Sequence, residues 1–237
     1  MEDRLIKIRE YIQAALDTLL ITRSQFSLLE PLMQSEVLAN RFSEGLRVQA
    51  RNIMISTLYL DCSLSLLAIS LDSDKRAASI FDILRMLEAQ DLRCHLRDKF
   101  SKPRTIYGLS DIREDEKAQL IRKLNQQESS ALKQSFDRTH ERAVAKFDEL
   151  KDGEVCLRLK SARDKVHAHK EMVMDKKGYP RLRTLGEFGV KVGDLRMFIY
   201  AVEELLIELE GIINHSATSL HIMNEQNRIM AQDFWDL

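Results

Sequence analysis

Leu5, Ile8, Ile12, Ala15, Leu16, Leu19 and Leu20 recur at three- and four-residue steps, the spacing of one face of a helix. They predict a first helix over about residues 3–29. Pro31 marks its boundary or the first turn of a short helix after it. A second helix is predicted over about 36–72. Its later half, Ile53 to Leu71, is apolar on nearly every side, as in the central helix of a bundle. The run Ser70-Leu71-Asp72-Ser73-Asp74 closes it and offers N-caps for the next element. Ile80, Ile83, Leu84 and Leu87 then place one apolar face on a shorter helix over about 76–90.

The pattern thins after that. DKFSKPRTIYGLS, residues 98–110, reads as a loop with Pro103 and Gly108. Ser110 is positioned to cap a long helix over about 111–150. Its early apolar positions are sparse: Ile112, Leu120, Ile121, Leu124, Leu132 and Phe136. So polar a helix is largely solvated or lies across a partner, and it reads as an insertion or a dimer arm. Asp152-Gly153 breaks the chain before a helix over about 154–172, whose packed side is expected at Leu157, Leu159, Val166 and Met172. A second loop, 175–193, holds four of the eight glycines and Pro180. The last long helix is expected to start at Asp194 as N-cap and to run through Ile199, Val202, Leu205, Leu206, Leu209 and Ile212 to about 226. The tail MAQDFWDL carries the one tryptophan.

Composition sharpens this picture to an all-α bundle. With 8 Gly, 3 Pro and 44% hydrophobic residues in 237, the chain lacks the turn residues a sheet protein uses. Its length suits a single domain, residues 1–237, that folds without a disulfide or metal. Cys62, Cys94 and Cys156 are odd in number and show no zinc spacing, so they read as free thiols of a reducing, cytoplasmic compartment. MEDRLIKIRE does not open like a secretory signal. The apolar run 55–71 is interrupted by Asp61 and serines and reads as core, with no membrane partner. The net charge of −1 argues against a protein that coats long nucleic acid, and less against one that touches a short stretch of RNA.

One segment carries candidate chemistry. In SARDKVHAHKEM, residues 161–172, Arg163 and His167 are four apart and would share a helical face. Arg163 and His169 would lie about 120° apart around the axis. Arg158, Lys160, Lys165 and Lys170 surround them. Residues 151–196 hold twelve Lys/Arg against seven Asp/Glu, a local excess that would attract phosphate and makes these four cations candidate RNA contacts. A metal site is not expected: His167 and His169 at i, i+2 point to opposite sides of a helix and no further ligand set completes them. No Gly-rich phosphate loop follows a strand, so no nucleotide cofactor is expected.

The string RDKVHAH resembles the Arg-x(4–6)-His motif of the HEPN superfamily, and more closely that of its abortive-infection, AbiU-like branch. Arg163 then matches the motif arginine, Asp164 the polar residue after it and His169 the motif histidine, with His167 at a variable position. LYLDCSLSLLAISLD, ending in Leu71-Asp72, also resembles the branch, and the likeness spans roughly 50–215. It implies a helical bundle that pairs two-fold, with a composite site at the homodimer interface. It also implies a metal-independent endoribonuclease used in abortive infection, antiviral defence or as a toxin, with no cofactor and with RNA as partner. Arg163 and His169 would be catalytic, Asp164 would orient one of them, and His167 would be a second acid/base or a spectator. The product would be a 2′,3′-cyclic phosphate. Lys170, Glu171 and Met172 stand where another branch carries a tyrosine modified by its partner; an antitoxin or defence partner of another kind remains open. The alternatives are a non-catalytic HEPN scaffold and a nucleotide-sensing module of a defence complex.

Overall fold

The opening apolar repeat does form a helix, longer than its spacing predicts. A computed structural model describes residues 1–74, 77–103, 114–168, 172–174, 176, 180–182, 189, 191–216 and 220–236. In it α1 spans Glu2–Gln34 and buries Leu5, Ile8, Ile12, Leu19, Leu29 and Leu32. Pro31 lies inside α1 and does not bound it. The missing proline N–H falls in the last turns, where burial of Leu29 and Leu32 holds the helix together. Arg51 satisfies the end of α1 by donating from Nε and Nη2 to the Leu32 carbonyl at 2.9 and 2.6 Å.

The expected helix 36–72 is two helices, α2 (Glu36–Arg41) and α3 (Gly45–Leu71). Ser35 caps α2 by accepting from Leu38 N–H at 3.3 Å. The break at Phe42–Glu44 leads into Gly45, whose φ of +55° suits glycine. α3 is the one helix among the described residues long and apolar enough to cross a membrane. Its second half packs into the core, with Tyr59, Cys62, Leu66, Leu67 and Ile69 buried. Its first half does not: Leu46 and Ile53 are exposed, which corrects the expectation of all-round burial from Ile53. Ser63 and Ser70 are admitted to the core because their hydroxyls donate to the carbonyls of Tyr59 and Leu66 one turn back. Asp61 faces outward and accepts from Gln25.

α4 (Ile80–Leu87) buries the four predicted apolar residues, and α5 (Gln90–Phe100) follows where no helix was expected. α6 spans Glu114–Asp152; Ser110 and Ile112 lie outside the described residues. The helix has two characters. Its first half carries no buried side chain up to Gln134 among the described residues. Its second half buries Phe136, Ala143 and Phe147 and is bound to the bundle. Phe136 meets Phe100 at 5.8 Å, and Lys146 reaches Glu204 and Glu208 at 2.9 and 3.0 Å. Only the first half can act as an insertion or arm.

α7 (Glu154–Ala162) is followed by a π turn (Arg163–Ala168) and an antiparallel pair, β1 (Met172–Met174) and β2 (Pro180–Leu182), with Met172 opposite Leu182. The pair replaces the end of the expected helix 154–172 and part of the expected loop. α8 (Val192–Asn214) crosses the core and ends at His215, which takes the left-handed conformation at φ 57°. α9 (Leu220–Trp235) then turns back onto α1. The helix expected to run to 226 is therefore broken in two. Trp235 closes a small second core with Leu32 and Leu38 and donates from Nε1 to the Leu28 carbonyl at 3.1 Å. The main core draws on α1, α3, α4, α5, α6, α7 and α8, an all-α bundle carrying one short β pair among its described residues.

Candidate functional site

α7 seats the motif. Its buried face is Cys156, Leu159 and Ala162, three- and four-residue spacing that fixes one side of a short helix on the core. Leu159 lies where the sequence predicts it. Leu157 and Met172 do not: they are 53% and 56% exposed. Leu157 is one step off the buried stripe, and Met172 has left the helix for β1. Val166 belongs to the π turn.

One further contact locks α7. Arg158 reaches Glu154 at 2.6 Å, one turn back, and Asp194 at 3.2 Å on α8. Asp194 is not the N-cap of α8; it sits at the third helical position and accepts the Lys191 backbone N–H at 2.8 Å. This reciprocal contact satisfies a donor the helix start would leave open. Arg158 therefore ties α7 to the start of α8, and its side chain is only 27% exposed. An arginine predicted as an RNA contact is half-buried and paired with two carboxylates, Glu154 at the surface and Asp194 on α8.

Both charges of the clamp act on the Tyr59 phenol. Burial pushes the Tyr59 phenol well above its ordinary range; nearby Asp194 adds to the rise and Arg158 opposes it. Burial also pushes the Cys62 thiol up to about 12. The Cys156 thiol is raised by burial, against the pull of Lys160 and Arg163. These two thiols are therefore protonated packing groups and not nucleophiles at neutral pH.

Beyond Ala162 the helix widens. Arg163–Ala168 form the π turn, whose hydrogen bonds close from i to i+5 and which occurs mostly as single turns, often at functional sites. The expectation that Arg163 and His167 share a face turns on the His167 side chain, which lies outside what is described. His167 lies within the turn, described by its backbone; His169 and Lys170 lie outside the described residues.

Arg163 and Asp164 are both on the surface, 44% and 52% exposed at their side chains, and Arg163 Nε donates to Asp164 Oδ1 at 2.8 Å. A guanidinium has five N–H donors, so one contact to Asp164 fixes its direction and leaves donors for a phosphate. Lys165 beside them is exposed and Lys160 half-buried. Sequence reasoning missed the Arg158–Asp194 clamp and the π turn. The clamp had a partial signal in the i, i+4 spacing of Glu154 and Arg158; the π turn had none in the apolar pattern.

The remaining histidines are placed elsewhere. His95, His140 and His215 are half-buried. The His140 pKa is lowered, first by burial and then by Arg93. His215 meets Phe100 at 5.5 Å between ring centres. Among the described residues no three His, Cys, Asp or Glu side chains converge as a metal ion would require.

No curated protein and no solved structure matches the chain. A family model does, over residues 3–234, well beyond the 50–215 span of the motif-based likeness, and it takes in both the opening helix and the long polar one. The chain belongs to the AbiU2 family of HEPN proteins.

Proposed function

We propose that this HEPN abortive-infection protein is a metal-independent endoribonuclease, acting as a cytoplasmic homodimer in antiviral defence or as a toxin. The observation that carries the reading is the exposed Arg163–Asp164 pair on the π turn, inside the RDKVHAH string. RNA supplies its own nucleophile. The 2′-oxygen forms a bond to phosphorus as the bond to the 5′-oxygen breaks, leaving a 2′,3′-cyclic phosphate and a 5′-hydroxyl. His169 takes the 2′-OH proton or supplies one to the leaving oxygen; an imidazole with a pKa of about 6.5 can do either at cellular pH. Arg163, oriented by Asp164, binds the phosphorane oxygens with parallel N–H bonds. Its contribution lies in charge that grows in the transition state. His167 serves as a second acid/base or stands at the rim. Lys160, Lys165 and Lys170 supply the RNA-facing charge, whereas Arg158 is committed to its clamp. A second copy brings a second motif to the same RNA, and an antitoxin or defence protein can control it.

The test is incubation with total RNA in EDTA, with fragment ends mapped. Cleavage giving 2′,3′-cyclic phosphate ends, reduced about 10²–10³-fold by Arg163→Ala, supports the reading. No cleavage by the parent, or equal cleavage by the variant, leaves a helical scaffold.

A further inference from the structure

α3 carries more apolar surface than its core contacts use: only 39% of its most apolar stretch is buried. The uncovered part has a period. Leu46, Ala50, Ile53, Thr57, Leu60 and Leu64 step by 4, 3, 4, 3 and 4 residues, the heptad spacing of a coiled-coil seam. At about 100° per residue these positions centre roughly 140° around the axis from Tyr59, which is buried in the core. Leu46 and Ile53 are 80% and 66% exposed. Ala50 and Thr57 are exposed, and Leu60 and Leu64 half-buried.

The stripe complements itself when turned end for end. In an antiparallel pair, layers of the seam set Leu46 against the partner's Leu64, Ala50 against the partner's Leu60 and Ile53 against the partner's Thr57. Two of the three layers thus match a smaller side chain with a larger one, as close packing requires. A parallel pair would stack Ala50 on the partner's Ala50 and leave a gap beside Ile53.

Charge agrees with the same register. Arg47 and Asp61 each follow a seam leucine, Leu46 and Leu60, and both are exposed. In the antiparallel pair Arg47 comes beside the partner's Asp61. The two-fold axis repeats the contact at the other end, giving two ion pairs at the flanking positions that set orientation in coiled coils. Asp61 accepts from the neutral Gln25 amide, which leaves its charge to be matched. Arg51, the next arginine along α3, is committed to the Leu32 carbonyl.

We propose, resting on the homodimer of the functional reading but not on its nuclease chemistry, that two copies pair through this stripe. α3 lies against the partner's α3 in the opposite direction, with Arg47 beside the partner's Asp61 and Ser56 on the two-fold axis.

The experiment is sedimentation of the full chain over a range of concentrations. The parent is expected at twice its 27.5 kDa. Ile53→Glu and Leu46→Glu, both at exposed positions, should each raise the dimer dissociation constant about a hundredfold with unchanged helical circular dichroism. Arg47→Asp and Asp61→Arg should each raise it about tenfold, and the two together should restore it. In a Cys94→Ser chain, Ser56→Cys should cross-link with a short bis-maleimide. Gln49→Cys should not, because its two copies lie about 21 Å apart along the axis.

A dimer indifferent to both glutamates places the pairing on another face and overturns this inference, while the homodimer of the functional reading stands. A double charge swap no better than the single ones, or cross-linking at Gln49→Cys and not at Ser56→Cys, overturns the antiparallel register. A monomeric parent overturns the homodimer and this face together. A monomer that floats with phosphatidylglycerol vesicles, and loses them in Ile53→Glu, gives the stripe to a lipid surface instead.

Discussion

Arg158 and Arg163 stand five residues apart on one stretch of chain, with the same side chain and opposite surroundings. Arg158 sits on the regular part of α7 between Glu154 and Asp194, mostly covered. Arg163 sits on the widened turn, exposed, with only its neighbour Asp164 as the partner described here. The difference comes from the backbone. While α7 keeps its regular pitch, its polar side faces the start of α8 and finds a carboxylate there. Five residues on, Arg163 stands about 140° further around the axis, away from that contact. The same charge thus ties two helices in one place and stands at the surface in the other.

Breaking the clamp should have the largest effect on stability. Arg158→Ala leaves Asp194, whose side chain is 11% exposed, with the Lys191 N–H as its remaining described partner. The expected cost is about 2 kcal/mol, less than for a fully buried pair because Arg158 keeps some contact with water. Thermal unfolding should register it as a fall of roughly 4–8 °C in Tm. A Tm unchanged within a degree would show the clamp to be idle.

A smaller effect is expected on the other side of the comparison. Asp164→Asn keeps the shape but removes the charge that orients Arg163. RNA cleavage should fall about tenfold, roughly 1.4 kcal/mol, with Tm unaltered. Rates equal to the parent's would remove Asp164 from the site.

The finest probe is the thiol on the buried face of α7. The Cys156 pKa is raised by burial, so at pH 8 the thiol stays protonated, and reactive thiolate accumulates only as pH climbs past the ordinary value of about 8.5. Iodoacetamide at pH 8, followed by mass spectrometry, should label exposed Cys94 and spare Cys62 and Cys156. In Arg158→Ala, labelling of Cys156 should rise while that of Cys62 stays low. Early labelling of Cys156 in the parent would mean that α7 is not seated as described.

How far the sequence carried is clear from individual residues. The apolar faces of α1 and α4 could be read directly, because Leu5 to Leu19 and Ile80 to Leu87 repeat at helical spacing and are all drawn to one core. The motif was legible as a string of residue types. The break before α3 was not, because no proline stands beside Gly45 and both flanks are helical in pattern. The end of α8 was hidden for a related reason: a histidine, not a glycine, takes the left-handed position. The second half of α6 was misjudged because Phe136, Ala143 and Phe147 form too thin a stripe to stand out among charges. The clamp joins residues 36 apart, and the π turn leaves no mark on hydrophobic period, so neither was within reach of local pattern.

The central claim is that these two arginines divide structure from chemistry. It is tested most directly by measuring RNA cleavage in EDTA and thermal unfolding side by side for Arg158→Ala and Arg163→Ala. The account predicts that Arg163→Ala loses about 10²–10³-fold in cleavage and melts with the parent. Arg158→Ala should melt several degrees lower and still cut when assayed well below its Tm. Arg163→Ala that cuts RNA like the parent, or that unfolds as early as Arg158→Ala, would contradict it.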